Sequence, residues 1–184
     1  MSAPRHNAGW LFDEFAHAGD EHLDPAYVAT YDRKAGTDPT EDVALLRNLG
    51  RGTHATLVDL GAGTGTFTLA AAPFCRRVVA VDVSSAMLTI LRAKIEHLGS
   101  TNVSCEHAGF LTDQHPPGTA DFVYSRNALH HLPDFWKALA LERIAAILRP
   151  GGILLLRDLV FLVRARRRRE HRRGLARSRS DVAG

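Results

Sequence analysis

Five short apolar runs, each followed by a turn and then by residues at helical spacing, leave this chain few folds to adopt. The runs cover residues 56–60, 77–82, 102–106, 120–125 and 152–158. After the first comes a glycine-rich turn and a helix at 66–72. After the second, Ser84 can cap a helix carrying Met87, Leu88, Leu91, Ile95 and Leu98, closed by Gly99. After the fourth, Asp134 is read as the cap of a helix with Leu139, Ile144, Ile147 and Leu148, stopped by Pro150-Gly151. Upstream, residues 24–34 and 40–49 read as helices, the second with Thr40 as N-cap, Glu41 and Asp42 in its first turn and Gly50 at its end. Such alternation predicts an α/β fold: right-handed β-α-β units, five strands in a mainly parallel sheet, and about six helices on its two faces.

The length of 184 residues, with 45% apolar and 23% charged, fits one domain and excludes a disordered or fibrous chain. Cys75 and Cys105 cannot build a disulfide framework, and neither sits at a metal-ligand spacing, so a cytoplasmic, metal-free protein is expected. Both thiols are read as small buried apolar groups. The longest apolar run, from Gly151 to Leu156, is far short of the roughly 20 residues that span a bilayer. Asp13 and Glu14 stand where a secretory signal would be apolar.

Net charge is +3 and the pI near 9.2, but the charge is unevenly spread. Residues 164–184 hold nine arginines against Glu170 and Asp181, a net of +7, which leaves 14 basic and 18 acidic residues elsewhere, a net of −4. The basic pI thus describes the last 21 residues only.

In a parallel sheet, ligands bind beyond the carboxyl ends of the strands, where strand order reverses. Asp59 and the turn formed by Gly61, Ala62, Gly63, Thr64 and Gly65 lie at such an end. Glycines there permit a tight turn and close approach of a ligand, and the amides of the following helix attract an anionic group. The dinucleotide fingerprint Gly-x-Gly-x-x-Gly is not met, because position 66 is Thr. Asp59 can accept from a ligand ammonium group, and Asp82, at the end of the second run, can accept from both hydroxyls of a ribose.

The chain resembles the class I S-adenosylmethionine-dependent methyltransferases of the small-molecule type. The resemblance rests on residues 58–65, on 79–88 with Asp82 and Met87, on 120–125, on Asn127 to Leu132 with the pair His130-His131, and on Leu148 to Gly152, in the family's order and spacing. It implies a Rossmann-like three-layer sandwich that binds S-adenosyl-L-methionine and methylates a small molecule. By position, Asp59 and residues 61–65 would hold the methionine part, Asp82 the ribose, and Val83 and Met87 one face of the adenine. Ser125, Arg126 and Asn127 would line the sulfonium side. Many relatives carry an acid after the third strand, near the adenine amine. Here the residues are His107, Ala108, Gly109 and Phe110, so backbone around Ala108 and Gly109 and packing by Phe110 are expected to hold the base.

Methyl transfer needs alignment and exclusion of water, and a base only where the acceptor loses a proton. Tyr27, Tyr31, His130 and His131 are the candidates; the histidine pair is read mainly as orienting its loop. Trp10, Phe12 and Phe15 are read as a packing patch, while residues 31–34 either close over the cofactor or end a helix in solvent. The expected organisation is a leader at 1–22, the methyltransferase domain at 23–158 with N-terminal helices at 24–49, and an arginine-rich, disordered tail at 159–184. The family continues after its fifth strand with a helix and an antiparallel hairpin that residues 159–184 do not match, so a truncated or altered C-terminus is expected, with the fifth strand as a bare apolar edge. Two rival functions stand beside this reading. One is a nicotinamide-dependent oxidoreductase; the other is nucleic-acid binding, which only the 164–184 tail could support.

Overall fold

A computed structural model describes residues 10–17, 28, 38–49 and 52–159. Its centre is a parallel sheet of β1 (Thr56–Leu60), β2 (Arg77–Asp82), β3 (Val103–His107), β4 (Ala120–Arg126) and β5 (Leu148–Arg157), in the order β3-β2-β1-β4-β5. Every pair is parallel. Strand order runs outward from β1 to β2 and β3, then restarts on its other side with β4 and β5. That reversal opens a crevice at the carboxyl ends of β1 and β4.

The period-2 alternation of the strands sorts their side chains into two cores. Val58, Leu60, Val79, Val81 and Val123 face α4 (Asp134–Ile147), which contributes Ala140, Ile144 and Ile147. Leu57, Val78, Phe122 and Tyr124 face the other way, onto Val43 and Leu46 of α1 (Thr40–Asn48) and Phe67 and Ala71 of α2 (Thr66–Ala71). Ala80 on this second face meets Leu88 and Leu91 of α3 (Ser85–Leu98). Strands buried on both faces read as unbroken apolar runs, which is why β1 and β2 match the sequence expectation residue for residue.

Local chemistry sets the helix ends, with two corrections. Ser84 caps α3 by accepting from the Met87 amide, and Gly99 closes it at φ 63°. Thr40, however, is the first residue of α1 and not its cap: the Asp38 carboxylate takes the Thr40 amide and hydroxyl, at 2.9 and 2.6 Å. Asp134 likewise lies inside α4 and pairs with Lys137, because Pro133 occupies the cap position and its carbonyl accepts from the Trp136 and Lys137 amides.

The end of α4 differs too. Leu148 is already extended and pairs with Ala120, so the helix stops at Ile147 and β5 begins four residues earlier than expected. Pro150 and Gly151 fall in a register shift of this strand. Among the described residues β5 pairs only with β4, so a missing proline N–H costs no ladder bond on its far side. Its segment Ile153 to Leu156 is only half-buried. The expected helix at 24–34 lies outside the described residues except for Val28, which is helical and buried; residues 160–184 also lie outside them.

Candidate functional site

The turn after β1 folds back over β2. The Gly61 and Ala62 amides donate to the Val81 carbonyl at 2.9 and 3.0 Å, and the Gly63 amide donates to Asp82 Oδ2 at 2.7 Å. The other oxygen of Asp82 accepts from the Ser84 amide at 2.7 Å, which fixes the carboxylate at the carboxyl end of β2. Gly65, at φ 84°, turns the chain into α2. A Cβ there would lie 2.1 Å from Leu91 Cδ1, so only glycine lets the turn pack on α3.

Asp59 sits under this turn, 2% exposed, and accepts from the Thr68 hydroxyl at 2.5 Å. Burial pushes its carboxyl up to about 7, helped by the nearby Asp82 charge and opposed by the Thr68 bond. Such an acid is poised to become charged when a cationic group comes near.

A cleft of about 740 Å³, counted out to its open mouth, lies between the turn, the β4 end and residues 10–17. Of the residues singled out from sequence, Gly61, Gly63, Asp82, Val83, Met87, Gly109, Phe110, Arg126, Asn127 and His131 line it. Asp59, Ala62, Gly65, Ala108, Ser125 and His130 are not among the residues that line it. Tyr27 and Tyr31 are outside the described residues.

Two wall residues have strong structural ties. Asn127, at φ 52°, holds the left-handed turn after β4, a conformation asparagine tolerates better than most side chains, and its amide donates to the Arg157 carbonyl at 2.9 Å. Arg126 binds Asp42 of α1 at 3.1 Å. The fully buried Asp42 also accepts from the Tyr124 hydroxyl at 2.6 Å and forms an ion pair with Arg157, its other oxygen lying 3.0 Å from Nε. One carboxylate therefore fastens α1 to both β4 and β5. Burial, then the Asp42 bond and charge, push the Tyr124 phenol up.

The paired histidines divide. Asp158 accepts from the His130 backbone amide at 3.0 Å and, through its other oxygen, from His130 Nδ1 at 2.6 Å, which places a ring proton on Nδ1. His131 is exposed and faces the cleft.

Sequence reasoning missed what the N-terminal segment adds to the cleft. Phe12, Glu14 and His17 line the cleft from the N-terminal segment. Phe12 packs near Trp136 of α4, and Trp10 stacks on the same indole at 6.0 Å. Phe15 sits edge-on to the His107 ring, whose Nε2 donates to the Val83 carbonyl at 2.8 Å. The only sequence signal was an apolar patch in a polar leader, and nothing in its spacing says what it covers.

Residues 57–152, just over half of the chain, match the methyltransferase domain family. The chain belongs to that family. It is 27% identical over 151 residues to an uncharacterized methyltransferase of Bacillus mycoides, covering 82% of this chain and 66% of that one. It is 29% identical over 114 residues to the 27-O-demethylrifamycin SV methyltransferase of Amycolatopsis mediterranei, covering 58% and 39%. In fold it is similar to a phosphoethanolamine N-methyltransferase of Haemonchus contortus solved with S-adenosyl-L-methionine: TM-score 0.67, 22% identity, 80% of this chain and 36% of that one. The chain thus spans about two-fifths to two-thirds of the length of these curated relatives. Among the described residues, no helix is long and apolar enough to cross a membrane.

Proposed function

We propose that this domain binds S-adenosyl-L-methionine and transfers its methyl group to a small-molecule acceptor. The supporting observation is the Asp82 carboxylate, held by the Gly63 and Ser84 amides in the wall of the cleft. There it can accept from both ribose hydroxyls. The glycine turn leaves room beside it for the methionine part. Asp59, beneath that turn, favours an ammonium group nearby. Val83 and Met87 offer an apolar face to the base.

When bound, the sulfonium supplies an electrophilic methyl whose departure leaves a neutral thioether. The protein has to align the acceptor in line with that methyl and keep water out. His131 is the described candidate for a base where the acceptor must lose a proton. His130 positions the loop through Asp158. We place the protein in the cytoplasm, in keeping with two free thiols, Cys75 and Cys105.

Calorimetry with S-adenosylhomocysteine tests the reading. Saturable binding is expected; none from folded protein at millimolar ligand would end it. A parallel NADH titration followed by fluorescence addresses the oxidoreductase alternative, for which Thr66 stands where the dinucleotide turn needs glycine. No binding of NADH is expected.

A further inference from the structure

Glu14 is 5% exposed, yet it lines the cleft. It comes from the N-terminal segment and reaches the loop after β3: Oε2 accepts from the Leu111 amide at 2.9 Å and from the Thr112 hydroxyl at 3.3 Å. The carboxyl group sits over Gly109, where a Cβ would lie 2.6 Å from its carbon. Thus the position after β3 that lacks a side chain has a carboxylate from elsewhere in its place.

The surroundings say what that carboxylate would meet. Phe12, Val83, Met87 and Phe110 line the same cleft, an apolar setting that suits a flat ring. A carboxylate in such a place is costly to bury, and burial pushes its pKa up against the pull of the Leu111 and Thr112 donors. A further donor from the ligand would offset that cost. Adenine offers one at its edge, the exocyclic amine, whereas a 6-oxo purine turns lone pairs toward the same point. We propose that Glu14 reads the base, accepting the 6-amino group of adenine across Gly109. This rests on the cofactor reading above, and goes beyond it by naming a residue outside the strand-turn motifs as the determinant of base specificity.

The test is the ratio of affinities for S-adenosylhomocysteine and S-inosylhomocysteine, in which an oxo group replaces the amine, measured by calorimetry on the full chain. The native protein is expected to prefer the adenosyl ligand by about 10–100-fold, the range for a hydrogen bond to a charged group. In Glu14→Gln, whose amide can accept from the amine or donate to the oxo group, the ratio should fall to within about threefold. In Glu14→Ala/Gly109→Asp the preference should return, because the three atoms nearest to a Cβ at 109 all belong to Glu14. This double variant also carries the test should Glu14→Gln not fold. An unchanged ratio in Glu14→Gln would overturn the proposal and leave Glu14 as a fastener of residues 10–17. Failure of the native protein to bind S-adenosylhomocysteine would instead overturn the cofactor reading beneath it.

Discussion

The two walls of the cleft are built at different scales. On the glycine-turn side, partners are near in sequence: Gly63 and Asp82 are 19 positions apart, Thr68 and Asp59 nine, Ser84 and Asp82 two. On the opposite side, Glu14 meets Leu111 across 97 positions, and Asp42 meets Tyr124 and Arg126 across 82 and 84. The first wall is a property of one β-α-β unit. The second exists only when the whole domain is assembled. Loss of the Asp82 carboxylate on the first side should therefore appear in ligand binding, and loss of the Asp42 carboxylate on the second in stability.

The largest effect expected is on the long-range side. Asp42→Ala leaves the Tyr124 hydroxyl, Arg126 and Arg157 without their shared carboxylate and should cost about 3–5 kcal/mol in urea unfolding. A loss below about 1 kcal/mol would show that α1 is held by packing alone. Next comes Asp82→Ala, which should weaken S-adenosylhomocysteine binding by about a hundredfold or more, as two charge-assisted hydrogen bonds would. If calorimetry finds less than a tenfold change, the local wall is not where the ribose lies.

Gly65→Ala should destabilise by about 2–3 kcal/mol, since it combines a left-handed backbone with a clash against Leu91, and thermal unfolding would report it. Asp59 sharpens the contrast through pH. Its carboxyl, raised from 3.8 to about 7, keeps a proton in the folded state that the unfolded chain has released. Stability of the unliganded protein should accordingly fall as pH rises from about 4 to about 7, by on the order of 1–2 kcal/mol. That is less than the full linkage because buried carboxylates relax and admit water. Asp59→Asn should flatten this part of the profile, and an unaltered slope would place the titration elsewhere. Smallest of all, His131→Ala should leave S-adenosylhomocysteine affinity within about threefold. A loss as large as that of Asp82→Ala would place the imidazole on the cofactor.

What could be read from the chain follows the same division. β1, β2, the Ser84 cap and the Gly99 stop depend on neighbours, and the sequence pattern locates each of them. The Thr40 and Asp134 caps failed because a proline precedes each residue and takes the cap position itself. The start of β5 failed because Leu148 is claimed by Ala120, a strand pairing that no local pattern announces. Glu14 and Asp42 were unreadable for a related reason. An acid in a polar leader, or in the first turn of a helix, looks solvated until the distant groups that surround it are known.

The strand order has one more consequence, for how the domain is made. Leu57 pairs with Val78, 21 positions on, and on its other side with Phe122, 65 positions on. Closing the longer loop costs only about 1 kcal/mol more in chain entropy, so it is timing and not energy that separates the two events. On a ribosome, β1 can zip to β2 while its second edge waits for β4 to emerge. In ribosome-bound nascent chains of increasing length, amide protection should accordingly appear in β1 and β2 before β4 has emerged. The strand that carries Asp59 would pass through an interval with its backbone groups bare along one side, when a chaperone or a second unfinished chain could pair with it.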